Sequence, residues 1–360
     1  MKLENAIRWS YLDILTKKRL ETLTELFGGA DAAMEILSIE LLGRLGIRED
    51  SAMKALVSLE EFNAVGYAAV MKKNNIALIS MEDSMYPESL RTVPDAPVFL
   101  YARGDMSVLS RPCIAIVGSR EMNDYGRRIV SHIVPPIVQA NVVTVSGLAY
   151  GIDAEVAKET LHAGGITVAV LGHGLGMIYP KANQKLADEI VRKGGLLLSE
   201  FALDVRPDNY TFPARNRIIA GLSLCTVVAQ ATEDSGSLIT ADLALDYGRD
   251  VCAVPGDIFD PQFAGCHGII TRGTAKLVMS GEDVLKEVGI VGSSVSTESD
   301  FTADSPEEQS VFDSLSSLPS ALDDLVVKTK LEAAVLNGVL TVLELKGAVK
   351  NAGGGKWVRA

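Results

Sequence analysis

Residues 113–120 read CIAIVGSR, an apolar run that continues directly into Gly118, Ser119 and Arg120. The same order of apolar run, glycine-containing loop and amphipathic stretch recurs as far as residue 254. This alternation is typical of a parallel sheet whose strands are joined by crossover helices, and it predicts an α/β fold. The predicted strands are Cys113–Val117, Val142–Val145, Thr167–Leu171, Leu196–Leu198, Leu224–Ala229 and Val251–Val254.

Glycines and prolines predict where the crossover helices end. Gly164-Gly165, Gly194-Gly195 and Gly248 each follow an amphipathic stretch, as glycines that terminate helices do. Pro135-Pro136 falls inside the first such stretch and is expected to end or kink its helix, because proline cannot donate the backbone hydrogen bond.

A chain of 360 residues suits two or three domains. Residues 1–70 carry apolar residues at helical spacing and predict a helical domain, whereas 71–288 hold the alternating pattern, after a proline-punctuated, extended stretch at Ile76–Leu109. Residues 289–305 are rich in Ser, Thr, Gly and Asp and predict a flexible linker. Three helical patterns and two short strands in 306–360 predict a winged helix.

Composition indicates a globular protein, with 48% hydrophobic and 22% charged residues. No secretory signal opens the chain and no apolar run reaches the ~20 residues that span a bilayer, so a soluble, cytoplasmic protein with no membrane association is expected. The four cysteines and four histidines lack metal-ligand spacing, which predicts reduced buried thiols and no metal. A net charge of −12 does not exclude binding to nucleic acid, because a local basic groove can dominate binding whatever the total charge.

Five loops after the predicted strands carry residues suited to phosphate. In an open parallel sheet, ligands bind beyond the carboxyl ends of the strands, where loops lead into helices. Glycine allows close backbone approach, arginine offers a bidentate fork, and a serine at a helix start adds free amides. The candidate residues are Gly118, Ser119, Arg120, Ser146, Gly147, Lys181, Phe212, Arg215, Asn216, Arg217, Ser235, Gly236 and Ser237.

Each candidate also has an ordinary structural explanation. Glycine loops are often only tight turns, and Ser237 and Asp153 are common helix-capping types. Phe212 could be a core aromatic, Lys181 a solvated charge, and Arg215 and Arg217 could pair with nearby carboxylates. The loops contain no G-x-G-x-x-G or Walker A pattern, so no dinucleotide or other cofactor is predicted.

Seven longer strings resemble the DNA-processing protein A (DprA/Smf) family in their order and approximate spacing. They are IAIVGSR, VSGLAYGIDAE, YPKAN, FPARNRIIAGLS, SGSLITADLA, GRDVCAVPGD and GCHGIITRGTA. The resemblance covers nearly the whole chain and implies a sterile-alpha-motif-like helical domain, an extended Rossmann-like DNA-binding domain and a C-terminal winged helix. It also implies a homodimer without enzymatic activity that protects single-stranded DNA and loads the RecA recombinase during natural transformation.

The resemblance places a DNA groove at Arg120, Lys181, Phe212, Arg215 and Arg217, and a dimer surface at Cys266, His267 and Ile270. Four positions depart from the family pattern. Tyr150 stands where Arg or Lys is usual, Ala157 where His is usual, Gln230 where Glu is common, and His267-Gly268 where Asn is frequent. The loss of a cation at position 150 weakens a phosphate contact or offers a stacking surface instead.

Two other functions are compatible with parts of the sequence. A nucleotide-processing hydrolase of the lysine-decarboxylase-like Rossmann group would need a Gly-Gly-x-Gly-Thr loop, where this chain has SGSLIT, and an acid where it has Gln230. A double-stranded-DNA regulator would bind through the winged helix, whose tail is basic but whose third helix is mostly apolar.

Overall fold

The computed structural model describes residues 1–290, 303–315, 320–353 and 355–359. The chain forms two compact units, Met1–Ser293 and Ser294–Ala360. Most of the predicted linker, residues 291–302, lies outside the described residues. The limits predicted for the individual domains stay predictions.

Six helices open the first unit, and capping side chains fix where several begin. Thr16, Ser38 and Asn63 each accept a hydrogen bond from a first-turn backbone amide of the helix that follows. The helices are α1 Leu3–Leu12, α2 Lys17–Phe27, α3 Ala30–Glu35, α4 Ile39–Arg44, α5 Glu49–Glu61 and α6 Ala64–Lys73.

These helices share one hydrophobic core with the sheet that follows. Trp9 is fully buried, and its indole Nε1 donates to the Ala30 carbonyl at 2.9 Å. Tyr101 on the sheet meets both ends of the helical segment, through Ser10 at 2.8 Å and Tyr67 at 3.2 Å between hydroxyl oxygens. The helical segment is therefore packed onto the sheet.

A nine-stranded sheet runs through the first unit in the order β1-β2-β6-β5-β4-β3-β7-β8-β9. The six predicted strands are confirmed, each within one residue at both ends. The strands are β1 Ala77–Ser80, β2 Phe99–Gly104, β3 Cys113–Gly118, β4 Val143–Ser146, β5 Thr167–Val170, β6 Leu196–Ser199, β7 Cys225–Gln230, β8 Asp250–Ala253 and β9 Lys276–Leu277.

Three strands do not stand out in the sequence. The predicted extended stretch contains β1 and β2, which pair with each other and then with β6, in both cases antiparallel. Their sequences are short and lie among prolines, and only pairing with β6 organises them. The two-residue β9 closes the other edge, parallel to β8.

Crossover helices connect the strands, and the glycines predicted to end them do so at positive φ, as at Gly164, Gly194 and Gly248. The helices are α7 Glu88–Arg91, α8 Asp124–Gln139, α9 Ile152–His162, α10 Gln184–Arg192, α11 Thr211–Leu222, α12 Gly236–Asp246, α13 Ala264–Thr271 and α14 Gly281–Glu287. Of the two expected effects of Pro135-Pro136, the end of the helix is wrong, because α8 continues through both prolines, and the kink stays a prediction. Ser131 and His132, four residues earlier, are exposed, so water can satisfy the freed carbonyls.

The second unit has the three predicted helices and the predicted hairpin of a winged helix. A third, two-residue strand joins the hairpin in the order β10-β12-β11. The hydrophobic core of this second unit contains Leu336, Leu340 and Leu343, together with Trp357 of the wing. The elements are α15 Pro306–Ser314, β10 Ser320–Ala321, α16 Leu322–Thr329, α17 Ala333–Leu345, β11 Val349–Gly353 and β12 Lys356–Arg359.

None of the helices in the described ranges combines the length and apolar character that crossing a bilayer requires. All four cysteines are buried and free of disulfides, as predicted. Within the same ranges, His, Cys, Asp and Glu side chains form no group of three or more that could hold a metal ion.

Candidate functional site

A cleft of about 630 Å³ opens where the strand order reverses between β3 and β7. Neighbouring crossover helices lie on opposite faces of the sheet at such a reversal, so a crevice forms beyond the strand ends. Most of the candidate residues line this cleft. They are Gly118, Ser119, Arg120, Phe212, Arg215, Asn216, Ser235, Gly236 and Ser237.

Backbone contacts hold the first loop in place. The Ser119 amide donates to the Gln230 carbonyl at 2.8 Å, and the Ser119 carbonyl accepts from Ile152 at 3.1 Å. Gly151 makes the second contact possible, since a Cβ there would lie 2.2 Å from the Ser119 carbonyl oxygen. The loop is thus tied to both β7 and α9 before any ligand arrives.

Arg120 is the exposed cation of the cleft. Its guanidinium carbon lies 4.8 Å from the centre of the Phe212 ring, a cation–π contact that orients the side chain. In the described part of the chain, no carboxylate lies within ion-pair distance of Arg120. The charge is therefore available to an anionic ligand.

The amino-terminal end of α12 forms another wall. Ser235 caps the helix by accepting from the Ser237 amide, and its hydroxyl lies 2.7 Å from that of Ser237. Gly236 has open space where a Cβ would stand. The helix dipole at this amino-terminal end favours a negative charge, although Glu121 and Asp234 also line the cleft and limit its net positive charge.

The two arginines of FPARNR lie on different faces of a helix, because the segment belongs to α11. Phe212, Arg215, Asn216 and Ile219 share the cleft face of α11. Arg217 lies about 200° around the helix axis from Arg215 and so faces away. It pairs with Glu200 and lies 3.9 Å from Asp95. The hypothesis that Arg217 joins the groove is corrected, and residue spacing alone could have excluded it.

Arg215 lines the cleft floor, but it is only 5% exposed. Its Nη1 donates to the carbonyls of Gly147 at 2.7 Å and Val170 at 2.5 Å. Any side chain at Gly147 would collide with this guanidinium, because a Cβ there would lie 2.2 Å from Nη1. The expected phosphate contact is therefore corrected: Arg215 ties the loop after β4 to the last residue of β5.

Ser146 is also internal, and its hydroxyl donates to the Ile116 carbonyl at 2.8 Å. Burial raises the pKa of Asp153 in the cleft floor, while the nearby Arg215 charge opposes that shift. Gly147 and Ser146 thus shape the cleft floor and do not present groups to a ligand.

Beside the cleft lies a small recess that Arg120, Phe212 and Arg215 also line. Its rim carries two exposed rings, Tyr150 and Tyr179. Lys181, two residues after Tyr179, is exposed but lies outside the lining of both the cleft and the recess. Tyr179 is a residue that sequence reasoning missed, although the string YPKAN begins with it.

The three residues expected at a dimer surface differ in exposure. Cys266 is fully buried against β7, with Sγ 3.7 Å from the Val228 carbonyl, so its assignment to a surface is corrected. His267 and Ile270 are half-buried. The most exposed apolar residues nearby are Ile258 and Phe259, which with His267 line an open depression.

On the far side of α11, Glu200 and Arg217 line a separate cavity of about 330 Å³. Glu200 Oε1 has no hydrogen-bond partner among the described residues. Burial raises the pKa of Glu200 from 4.5 to about 7, and the Arg217 guanidinium only partly opposes this.

We expect Glu200→Gln to remove a pH dependence of stability. The folded protein holds this proton up to about pH 7 and the unfolded chain releases it near 4.5, so wild-type stability falls as pH rises through that window. At pH 8 the variant should be more stable by roughly 3 kcal/mol, and near pH 4 the two should agree. Urea unfolding at both pH values measures this. A less stable variant at pH 8 would mean that the ion pair with Arg217 outweighs the cost of burial.

Comparison with known proteins assigns the chain to a family. The profile of DNA recombination-mediator protein A matches residues 77–289, and that of the DprA winged helix domain matches residues 296–355. DNA processing protein DprA of Streptococcus pneumoniae is 46% identical over 208 residues, 58% of this chain and 73% of that protein. DprA of Bacillus subtilis is 42% identical over 221 residues, 61% of this chain and 74% of that protein.

Solved structures agree. The S. pneumoniae DprA structure superposes with a TM-score of 0.67 at 38% identity, covering 80% of this chain and 99% of that one. A Helicobacter pylori DprA structure, described for its single-stranded DNA binding mode, gives 0.54 at 28% identity and covers 59% of this chain and 95% of that one. With its Rossmann-like sheet, helical start and winged helix, the chain belongs to the DNA recombination-mediator protein A (DprA/Smf) family.

Proposed function

We propose that this protein binds single-stranded DNA in the cleft between β3 and β7. The observation that carries the proposal is the exposed Arg120, stacked on Phe212 and lining the same cleft as the α12 amino terminus. A cation and the positive end of a helix dipole suit backbone phosphates, and an aromatic ring suits bases. The similarity to the H. pylori DprA, whose structure is described for its single-stranded DNA binding mode, supports the same ligand.

The cleft favours single strands over duplex for a chemical reason. Duplex recognition presents a helix or ribbon to a groove, with side chains that reach base edges. The cleft instead lies between loops at the end of a sheet, and an aromatic ring lies within it. Such a ring stacks only on bases that are unpaired and splayed out.

Membership of the family supports the biological part of the proposal. We infer that the protein protects single-stranded DNA in the cytoplasm and loads the RecA recombinase onto it during natural transformation. We further infer that it acts as a homodimer, for which Ile258 and Phe259, 77% and 88% exposed, offer apolar surface next to His267.

We propose a binding function and no enzymatic one. A nucleotide-processing hydrolase is the alternative, and the carboxyls that line the cleft are the exposed Glu121 and Asp234 and the buried Asp153. Asp153 accepts a hydrogen bond from the Ala149 amide at 3.4 Å and lies near the Arg215 charge, which gives it a structural role instead. Release of free base from nucleoside monophosphates by the purified protein would favour the hydrolase.

The proposed function predicts that a fluorescent oligo-dT binds more tightly than a duplex of the same length. We expect at least a tenfold difference, about 1.4 kcal/mol, in anisotropy titrations at fixed salt. Equal or tighter binding of duplex would favour a double-stranded-DNA regulator led by the winged helix. The salt concentration is held constant because phosphate contacts alone change affinity steeply with salt.

A further inference from the structure

Two tyrosine rings stand exposed at the rim of the recess beside the cleft. Tyr150 is 52% exposed and Tyr179 is 48% exposed. Both line the recess together with Arg120 and Phe212, which also line the cleft. Tyr179 contacts Phe212 directly, with ring centres 6.3 Å apart and planes inclined by 39°. The recess is therefore an aromatic extension of the cleft.

The backbone under each ring is held in place. Asn183 Nδ2 donates to the carbonyls of Leu148 at 2.9 Å and Ala149 at 3.3 Å, on one side of Tyr150. On the other side of Tyr150, the Ile152 amide donates a hydrogen bond to the Ser119 carbonyl. The Tyr179 amide donates to His173 Nε2 at 3.1 Å. Rings on a fixed backbone lose little freedom when a planar ligand stacks on them.

Nothing in the described ranges uses the outer surface of these side chains. Across those ranges, neither phenol hydroxyl has a hydrogen-bond partner, and Tyr150 has no aromatic neighbour within stacking distance. Phe212, by contrast, already has Arg120 over its ring and Tyr179 nearby. A base that follows the strand out of the cleft would therefore find free ring faces on both tyrosines.

We propose that Tyr150 and Tyr179 form a base-stacking subsite for the nucleotide next to the one whose phosphate lies at Arg120. The ligand class is an unpaired nucleobase of any type, because every base has a flat π-face. The subsite rests on the proposed single-strand function and extends it from the cleft to base stacking on the exposed tyrosine rings at the rim of the recess.

The test changes the tyrosine in the protein and the base in the DNA, one at a time and together, and compares the affinities. Full-length wild-type protein, Tyr150→Ala and Tyr179→Ala are each titrated with oligo-dT and with an abasic oligomer of the same length. We expect each alanine variant to lose at least about fivefold in affinity for oligo-dT. The affinity for the abasic oligomer should change by less than about twofold, since the phosphate contacts remain. Tyr150→Phe, which keeps the ring, is the matched control and should bind like wild type.

Tyr150→Lys separates stacking from charge. A lysine there should steepen the salt slope of binding by about 0.7 and reduce the preference for dT over abasic sites, because Tyr179 remains to stack on a base. Circular dichroism and thermal melting of every variant verify that it is folded. Equal losses on both oligomers, or no loss on either, would overturn the subsite. Failure of the wild type to bind oligo-dT would instead overturn the single-strand function itself.

Discussion

Replacing Gly151 with alanine is expected to lower the free energy of unfolding by about 3–5 kcal/mol and to abolish DNA binding together with it. Gly151 has φ 73° and ψ −127°, a backbone region that residues with a Cβ avoid. The added Cβ would also lie 2.2 Å from the Ser119 carbonyl oxygen and 2.6 Å from that of Arg120. These are backbone atoms, so the loop that presents Arg120 has to move. Urea unfolding and oligo-dT titration measure the two effects.

Gly164→Ala is the matched control for this prediction. Gly164 also has a positive φ, 76°, but nothing lies within 4 Å of its Cβ position. Its substitution should therefore cost only the conformational strain, about 1–2 kcal/mol, and leave binding intact. If the two variants lose equal stability, the collision of the new Cβ with the Arg120 loop does not cause the loss in Gly151→Ala. The hydrogen bond between that loop and α9 would then contribute less to stability than the structure indicates.

Arg120→Ala is expected to reduce oligo-dT affinity by about 10- to 150-fold, because a charged hydrogen bond to phosphate contributes about 1.5–3 kcal/mol. The salt slope should fall by about 0.7, the signature of one lost phosphate contact. Stability should change little, since the side chain is exposed and its one described contact is with the Phe212 ring. Titrations at several salt concentrations provide both numbers.

Arg192→Ala removes the same charge at a different place. Arg192 ends α10, which lies away from the cleft, and its side chain is 70% exposed. The Arg192→Ala variant should therefore keep nearly the same oligo-dT affinity and the same salt slope as the wild type. Arg120→Lys should keep the slope but lose part of the affinity, because lysine lacks the planar fork that binds phosphate in a bidentate manner. A slope that falls equally in the Arg192 variant would indicate that overall charge, and not Arg120, controls binding.

The strands and loops of the central sheet could be predicted because each is a local pattern. The run CIAIV has five consecutive apolar residues, as a strand buried on both faces requires, and Gly118 marks where it ends. The same reasoning failed for β1 and β2, whose short sequences become strands only through antiparallel pairing with each other and with β6. Pairing over such separations leaves no periodic trace in the residues themselves.

The face of α11 on which each residue lies could also have been predicted from the sequence. FPARNR lies in α11, and residues two positions apart on a helix point in nearly opposite directions. Treating that segment as a loop placed Arg217 in the groove, whereas the structure pairs it with Glu200 on the other face.

What the sequence determined by itself is the α/β sheet, the winged helix and the set of loops that meet at one sheet edge, since strand period, helix period and glycine position are local properties. Only the tertiary structure decided which charges in those loops are free. Arg215 is used internally because the carbonyls of Gly147, in the loop after β4, and Val170, at the end of β5, come within hydrogen-bond distance of it. Arg120 stays available because no described carboxylate comes within ion-pair distance of it. The burial and partners of a charge depend on groups that are distant in sequence, and these decide whether it stabilises the fold or can bind a ligand.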